Sequence, residues 1–234
     1  LTSDDSPITT LSDLRGKRIG LSGWQDSGNT WTRALLLEAG VPVDSIQWTL
    51  SRMTAADRID PERGKQFWDD RVVFHDPDET PLVDLLKAGK IDAIFQAFMP
   101  ADFYSEGYGL RQLQPDFVSQ EKAWFGRAGF VPGIHILAMK ADFIAAHPEA
   151  PRQLCELLRA SQNLWLAKRR KYFETTPWLI ADLIDMAKSL PEDWDPVGLE
   201  PNRRMLDEFA RQQYLQKLTP VQRDADFLFP VKTI

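Results

Sequence analysis

The sequence predicts an α/β fold with a helix-rich C-terminal part. From Arg18 to Phe95, short apolar runs of strand length alternate with segments of helical periodicity, which argues for layered strands and helices with a largely parallel sheet. From Ala141 onward the pattern is nearly all helical, and no internal repeat or low-complexity tract interrupts it. The change divides the chain into an α/β part over residues 1–130 and a helix-rich part over 131–234.

Ser12-Asp13-Leu14-Arg15-Gly16 reads as a capped turn that feeds the strand Arg18–Ser22. After a polar loop, Thr30 to Ala39 is helical through Trp31, Leu35, Leu36 and Ala39, and Gly40 stops it. Ser45 to Leu50 alternates as a strand with Ile46, Trp48 and Leu50 on one face. Met53 to Asp70 is charged and irregular, a surface insertion with a partial helix, and Val72-Val73-Phe74 is a short strand. Thr80-Pro81 opens a helix, with Pro81 as its first residue. That helix shows Leu82, Leu85 and Leu86 on one face, ends at Gly89, and leads into the buried strand Ile91–Phe95. Met99 to Gly109 is loop and short helix. Ile134 to Met139 is a further strand, with Pro132-Gly133 before it as a crossover joint.

Hydrophobic residues make up 43% and charged residues 26%, the balance of a chain that can bury a substantial core. The net charge is -6 with both signs interspersed, and Lys168-Arg169-Arg170-Lys171 is the longest basic run. Such a run suits a solvated helix face, so nucleic acid is not an expected partner. Cys155 is the only cysteine, which excludes an internal disulfide and a cysteine-rich metal site; its apolar-periodic position predicts a buried thiol. No window approaches the ~20 apolar residues that span a bilayer, and no membrane partner is expected. The expected location is the cytoplasm, or the periplasm if a leader has been removed; the chain opens on Leu1-Thr2-Ser3 without an initiator methionine.

Residues Ser22 to Thr30 sit between a strand end and a helix start, where free N–H groups and the helix dipole favour an anion. Ser27, Asn29 or Thr30 there either caps the helix or holds a carboxylate. The spacing matches neither a P-loop nor a dinucleotide fingerprint. Trp24 in the same corner is placed to stack on a planar ligand. His135 lies within an apolar strand pattern close to Arg127, and histidine can donate a proton near neutrality. His75 falls in a loop and His147-Pro148 at a helix junction. Three scattered histidines have no metal-ligand spacing, and no Ser/His/Asp constellation is present. Near the end, Gly198-Leu199-Glu200-Pro201-Asn202-Arg203 interrupts the helical region with a proline.

Taken with Gly133-Ile134-His135 and Pro177-Trp178, that string resembles the 4,5-dihydroxyphthalate decarboxylase-like family. Further matching pieces are Leu14–Gly20, Gln25, Gly89–Ala93, Arg127 and His147-Pro148, so the likeness runs to about Gln216. The resemblance implies a two-lobed, type II periplasmic-binding-protein-like architecture, with residues 131–234 returning to the other lobe. It also implies an N-terminal part that this sequence lacks, whose strands another segment or a second copy of the chain would have to supply. Two positions depart from the family pattern: Gly23 stands where an acidic residue is usual, and Phe98 where an arginine is usual.

The activity so implied is removal of carboxylate from a small hydroxylated aromatic acid, without a cofactor. His135 would protonate the ring and Arg127 would anchor a carboxylate. Gln25 and Ser27 would orient ring hydroxyls, with Trp24 and Phe98 beside them. Glu200 and Arg203 either face the ligand or pair with each other. The rival expectation is a solute-binding protein of a transporter, or a sensor, holding such a molecule without reaction. Gly23 and Phe98 favour that rival. A helical interaction protein is a third reading, which the α/β alternation opposes.

Overall fold

The structure is a computed structural model and describes residues 1–60, 62–67, 73–172 and 177–231, without the side chains of 169 and 170. The expected strand residue Val72, the end of the expected insertion at 68–70, and the middle of the basic run fall outside these. Two compact units emerge: residues 1–117 with 211–222, and residues 118–210 with 223–234. The first break thus lies at Phe117–Val118, ahead of the composition change at about residue 130.

In the first unit, β1 (Thr2–Ser3) pairs antiparallel with β6 (Leu110–Arg111). A parallel sheet is built from β2 (Arg18–Leu21), β3 (Gln47–Leu50), β4 (Val73–His75) and β5 (Ala93–Phe95), in the order β4-β3-β2-β5. Helix α1 (Ser27–Glu38) joins β2 to β3, and α2 (Leu82–Lys87) precedes β5. The α/β class read from the alternation is therefore present as a parallel sheet with connecting helices. Ile19 lies opposite Trp48 and Ala93, so alternate residues of three strands point to one face. There Trp48, fully buried, meets Trp24 and Phe95 edge-on, with ring centres 5.6 and 5.9 Å away. Leu36 of α1 closes that cluster. Gly20 and Ile94 point the other way, towards Leu82 and Ile91. Both faces are covered at β2 and β5, whose residues Ile19–Leu21 and Ala93–Phe95 are buried without alternation, whereas Gln47 of β3 is exposed and Phe74 of β4 is 50% exposed.

Local starts differ from expectation in small ways. Pro81 occupies the N-cap of α2 rather than its first turn. Helix α1 begins at Ser27, three residues early, because the Asp26 carbonyl already accepts from the Thr30 N–H at 2.9 Å. His75 ends β4 instead of lying in a loop. Residues 99–109 form turns without a helix.

The second unit consists of α3 (Phe117–Ala128, whose first residue belongs to the first unit), α4 (Ala141–Ala146), α5 (Ala150–Arg169), α6 (Leu179–Ser189), α7 (Leu199–Leu215) and α8 (Ala225–Leu228). The last turn of α7 and the residues to Gln222 belong to the first unit. The strand expected at Ile134–Met139 is not formed: these residues carry no regular structure, and Ile136 is 71% exposed. A strand needs a neighbour to take its N–H and C=O groups, and among the described residues none pairs with this segment. Pro201 does not interrupt a helix. It sits in the first turn of α7, where its missing N–H would have had no intrahelical acceptor. Cys155 on α5 is partly rather than fully buried.

Candidate functional site

The chain leaves β2 through α1 towards β3 and β4, then comes back through α2 to place β5 on the other side of β2. Strand order therefore reverses between β2 and β5, and ligands of open parallel sheets bind outside the carboxyl ends of the strands at such a reversal. The residues at that point are Ser22 to Ser27 after β2 and Gln96 to Phe98 after β5. Asn29 ties the corner together, donating from Nδ2 to the Gly23 carbonyl at 2.7 Å. No side chain caps the start of α1. A Cβ on Gly23 would meet the carboxylate of Asp26, which folds back over it and would have to turn aside.

Residues 62–67 cover this corner. Arg63 pairs with Asp26 at 3.1 Å, and the Phe67 carbonyl accepts from the Trp24 indole N–H at 3.2 Å. Gly64 has φ +83°, a conformation that favours glycine, and a Cβ there would meet the end of the Gln25 side chain. Gln25 Oε1 is buried and without a hydrogen-bond partner among the described residues. Trp24 is 4% exposed and Phe98 is 77% exposed.

Beneath Trp24 lies a group that the sequence reading passed over. Arg33 is fully buried, with its guanidinium carbon 4.2 Å from the centre of the Trp24 ring. Its Nε donates to Gln216 Oε1 at 2.7 Å, and Gln216 in turn donates to the Thr30 carbonyl at 2.9 Å. Burial draws the Arg33 pKa down to about 9, while the charge of Asp26 acts in the opposite direction. A signal was available: Arg33 falls three residues after Thr30 and three before Leu36, on the stripe of α1 that the sheet buries.

A groove of about 410 Å³ lies at the opposite, amino ends of β2 and β5, lined by Lys17, Lys87, Asp5 and Asp92 among others. Ligands of parallel sheets gather at the carboxyl ends, so the corner is the stronger candidate.

The other residues singled out from the sequence belong to the second unit. Arg127 lies exposed in the last turn of α3, and His135 is exposed in the irregular stretch before α4. The run from Gly129 to Gly133 lies against α7. A Cβ on Gly133 would meet Met205 Cε at 2.7 Å, and one on Gly129 would meet Arg204. Tertiary structure thus brings Gly133 to α7, the helix whose first turns hold Glu200-Pro201-Asn202-Arg203. Of the two readings of Glu200 and Arg203, pairing is what the unit shows: Arg203 Nη2 lies 2.6 Å from Glu200 Oε1, and Nη1 lies 2.8 Å from Asp226 Oδ2. Asn202 Nδ2 donates to the carbonyls of Pro196 and Gly198 at 2.6 and 2.9 Å, securing the helix start. His147 caps α4 with its ring on Phe143.

Among the described residues no group of three His, Cys, Asp or Glu is arranged to hold a metal ion, and no helix is long and apolar enough to cross a membrane. No family model matches the chain. A 4,5-dihydroxyphthalate decarboxylase of Comamonas testosteroni is 24% identical over 219 residues, 92% of this chain and 66% of that protein. One from Pseudomonas putida is 29% identical over 101 residues, 43% of this chain and 39% of that protein. The chain therefore spans less than two thirds of the length of either relative. The likeness read from its motifs is shown by these matches: the chain is similar to 4,5-dihydroxyphthalate decarboxylases.

Proposed function

We propose that the chain acts as a decarboxylase on a small hydroxylated aromatic carboxylate, without a cofactor. The observation that carries this reading is the similarity to the Comamonas testosteroni decarboxylase over 92% of the chain. The corner at the strand-order reversal supports it by offering a helix start and polar side chains to a flat acid. The architecture that goes with it is the two-lobed, type II periplasmic-binding-protein-like one. In the reaction the ring carbon–carboxylate bond breaks, CO₂ departs, and the electron pair stays on the ring carbon. Protonated His135 gives that carbon its proton and is left as neutral imidazole. Arg127 holds a carboxylate, Gln25 and Ser27 bond to ring hydroxyls, and Trp24 and Phe98 supply apolar contact. Glu200, held by Arg203, shapes the start of α7.

The second reading is a solute-binding protein with no chemistry. It is favoured by Phe98, which leaves no cation at an exposed position after β5. Incubation of purified protein with 4,5-dihydroxyphthalate, following CO₂ release, decides between them. Turnover is expected, with a loss of 100-fold or more in His135→Gln, the usual scale of a general acid. Turnover unchanged in that variant removes His135 from the mechanism. Ligand-dependent thermal stabilisation with no CO₂ selects the binding protein.

A further inference from the structure

The Arg33 guanidinium has no part in the mechanism above, yet it is the least satisfied charge among the described residues. It is fully buried, and its Nη1 and Nη2 have no hydrogen-bond partner there. A buried cation with open donors destabilises a fold, and an apolar residue of similar volume would pack there at lower cost. The group is nevertheless held in one orientation. Nε is fixed by Gln216, which is itself bonded to Thr30 and to Gln212 Oε1 at 3.2 Å, and one face lies on Trp24. That arrangement leaves the buried Nη1–Nη2 edge without a hydrogen-bond partner among the described residues, with two parallel donors of the kind a carboxylate accepts bidentately.

We propose that Arg33 is an anion-binding group, whose Nη1–Nη2 edge takes one carboxylate of a small aromatic acid beneath Trp24. The choice of an aromatic acid rests on the function proposed above. A long side chain on a helix leans towards the amino end, so the guanidinium reaches back under the corner where α1 begins. Asp26, whose charge Arg33 feels, is engaged by Arg63, and the corner is covered by residues 62–67. That cover is held by the Arg63–Asp26 pair, whose side chains are about a third or more exposed and contribute little, and by the bond from the Trp24 indole to the Phe67 carbonyl, which the acid would have to break. Entry of the acid requires residues 62–67 to lift from Trp24 and Gln25.

The test is calorimetric binding of phthalate and of its neutral dimethyl ester to the 234-residue chain, to Arg33→Met and to Arg33→Lys. Phthalate is expected to bind the unaltered chain and the ester not to. Arg33→Met should lose at least tenfold in affinity while melting at or above the unaltered temperature. Arg33→Lys should lose affinity as well, because an ammonium cannot bond both oxygens in the same plane. Equal binding of acid and ester, no binding of phthalate, or unaltered affinity in either folded variant overturns the proposal. Failure of both variants to fold also overturns it, since the guanidinium then serves the fold. CO₂ release from 4,5-dihydroxyphthalate separates this from the proposed function. Phthalate binding through Arg33 without CO₂ removes the decarboxylase and keeps the site; CO₂ release that Arg33→Met leaves unchanged does the reverse.

Discussion

Gly20 shows how far one residue type can be dictated by its surroundings. It lies in the central strand β2, and a Cβ there would stand 2.6 Å from Leu82 Cδ2 and 2.8 Å from Ile91 Cδ1. Gly28, in the first turn of α1, has nothing within 4 Å of the same position. Gly20→Ala is therefore expected to destabilise by about 1–3 kcal/mol, the cost of overpacking. Gly28→Ala is expected to stabilise by about 0.5 kcal/mol through helix propensity. Urea unfolding of both variants checks the pair, and a neutral Gly20→Ala would mean that α2 sits further from the sheet. Neither glycine announces its environment in the sequence. Gly20 reads as an ordinary strand residue, because the atoms that crowd a side chain there come from Leu82 and Ile91, more than sixty positions away.

At the scale of elements, the sheet is locked where β2 and β5 begin. Asp92 accepts from the Arg18 backbone N–H at 2.8 Å and from its guanidinium Nε and Nη2 at 3.0 and 2.7 Å. The Arg18 guanidinium is the main cause that holds the Asp92 carboxyl below its ordinary value of 3.8. The folded pKa lies below the unfolded one, so the contribution is full above the unfolded value and drains away as pH falls through the folded value. Arg18 is 41% exposed and solvent screens the pair, so Asp92→Asn is expected to cost only about 1 kcal/mol at pH 7. The gap between variant and unaltered chain should close as unfolding is followed from pH 5 down to pH 2. A gap that stays constant would assign the effect to packing rather than charge. The Gly89-to-Phe95 pattern revealed the strand itself, but not the arginine that its leading aspartate meets.

At the scale of the whole molecule, burial is unevenly shared. Both apolar clusters among the described residues lie in the first unit, around Trp48 and around Leu82. Among the described residues of the second unit, buried apolar side chains are few: Pro151, Leu199, Ala210 and Ala225. Its helices leave Leu157 67%, Leu164 63% and Trp178 72% exposed. Local opening costs little where few apolar contacts must break. Amides of β2, β3 and β5 are expected to exchange with solvent at least 100-fold more slowly than those of α5 and α6. Acrylamide should quench Trp178 while sparing Trp24 and Trp48. Equal protection across the two units, read by hydrogen exchange and mass spectrometry, would contradict this distribution of stability.

The α/β class, the strands at Arg18, Gln47 and Ala93, and the helix from Leu82 were legible because period-2 and period-3.6 apolar patterns are local properties of a chain. The likeness to decarboxylases was legible in short strings whose polar residues no packing pattern requires. Strand order, the reversal between β2 and β5, and the burial of Arg33 under Trp24 were not legible. Each depends on which segments meet across tens to hundreds of residues. The segment Ile134–Met139 makes the same point from the other side. Its composition suits a strand, but a strand exists only when a neighbour accepts its backbone hydrogen bonds, and that is decided by tertiary structure alone.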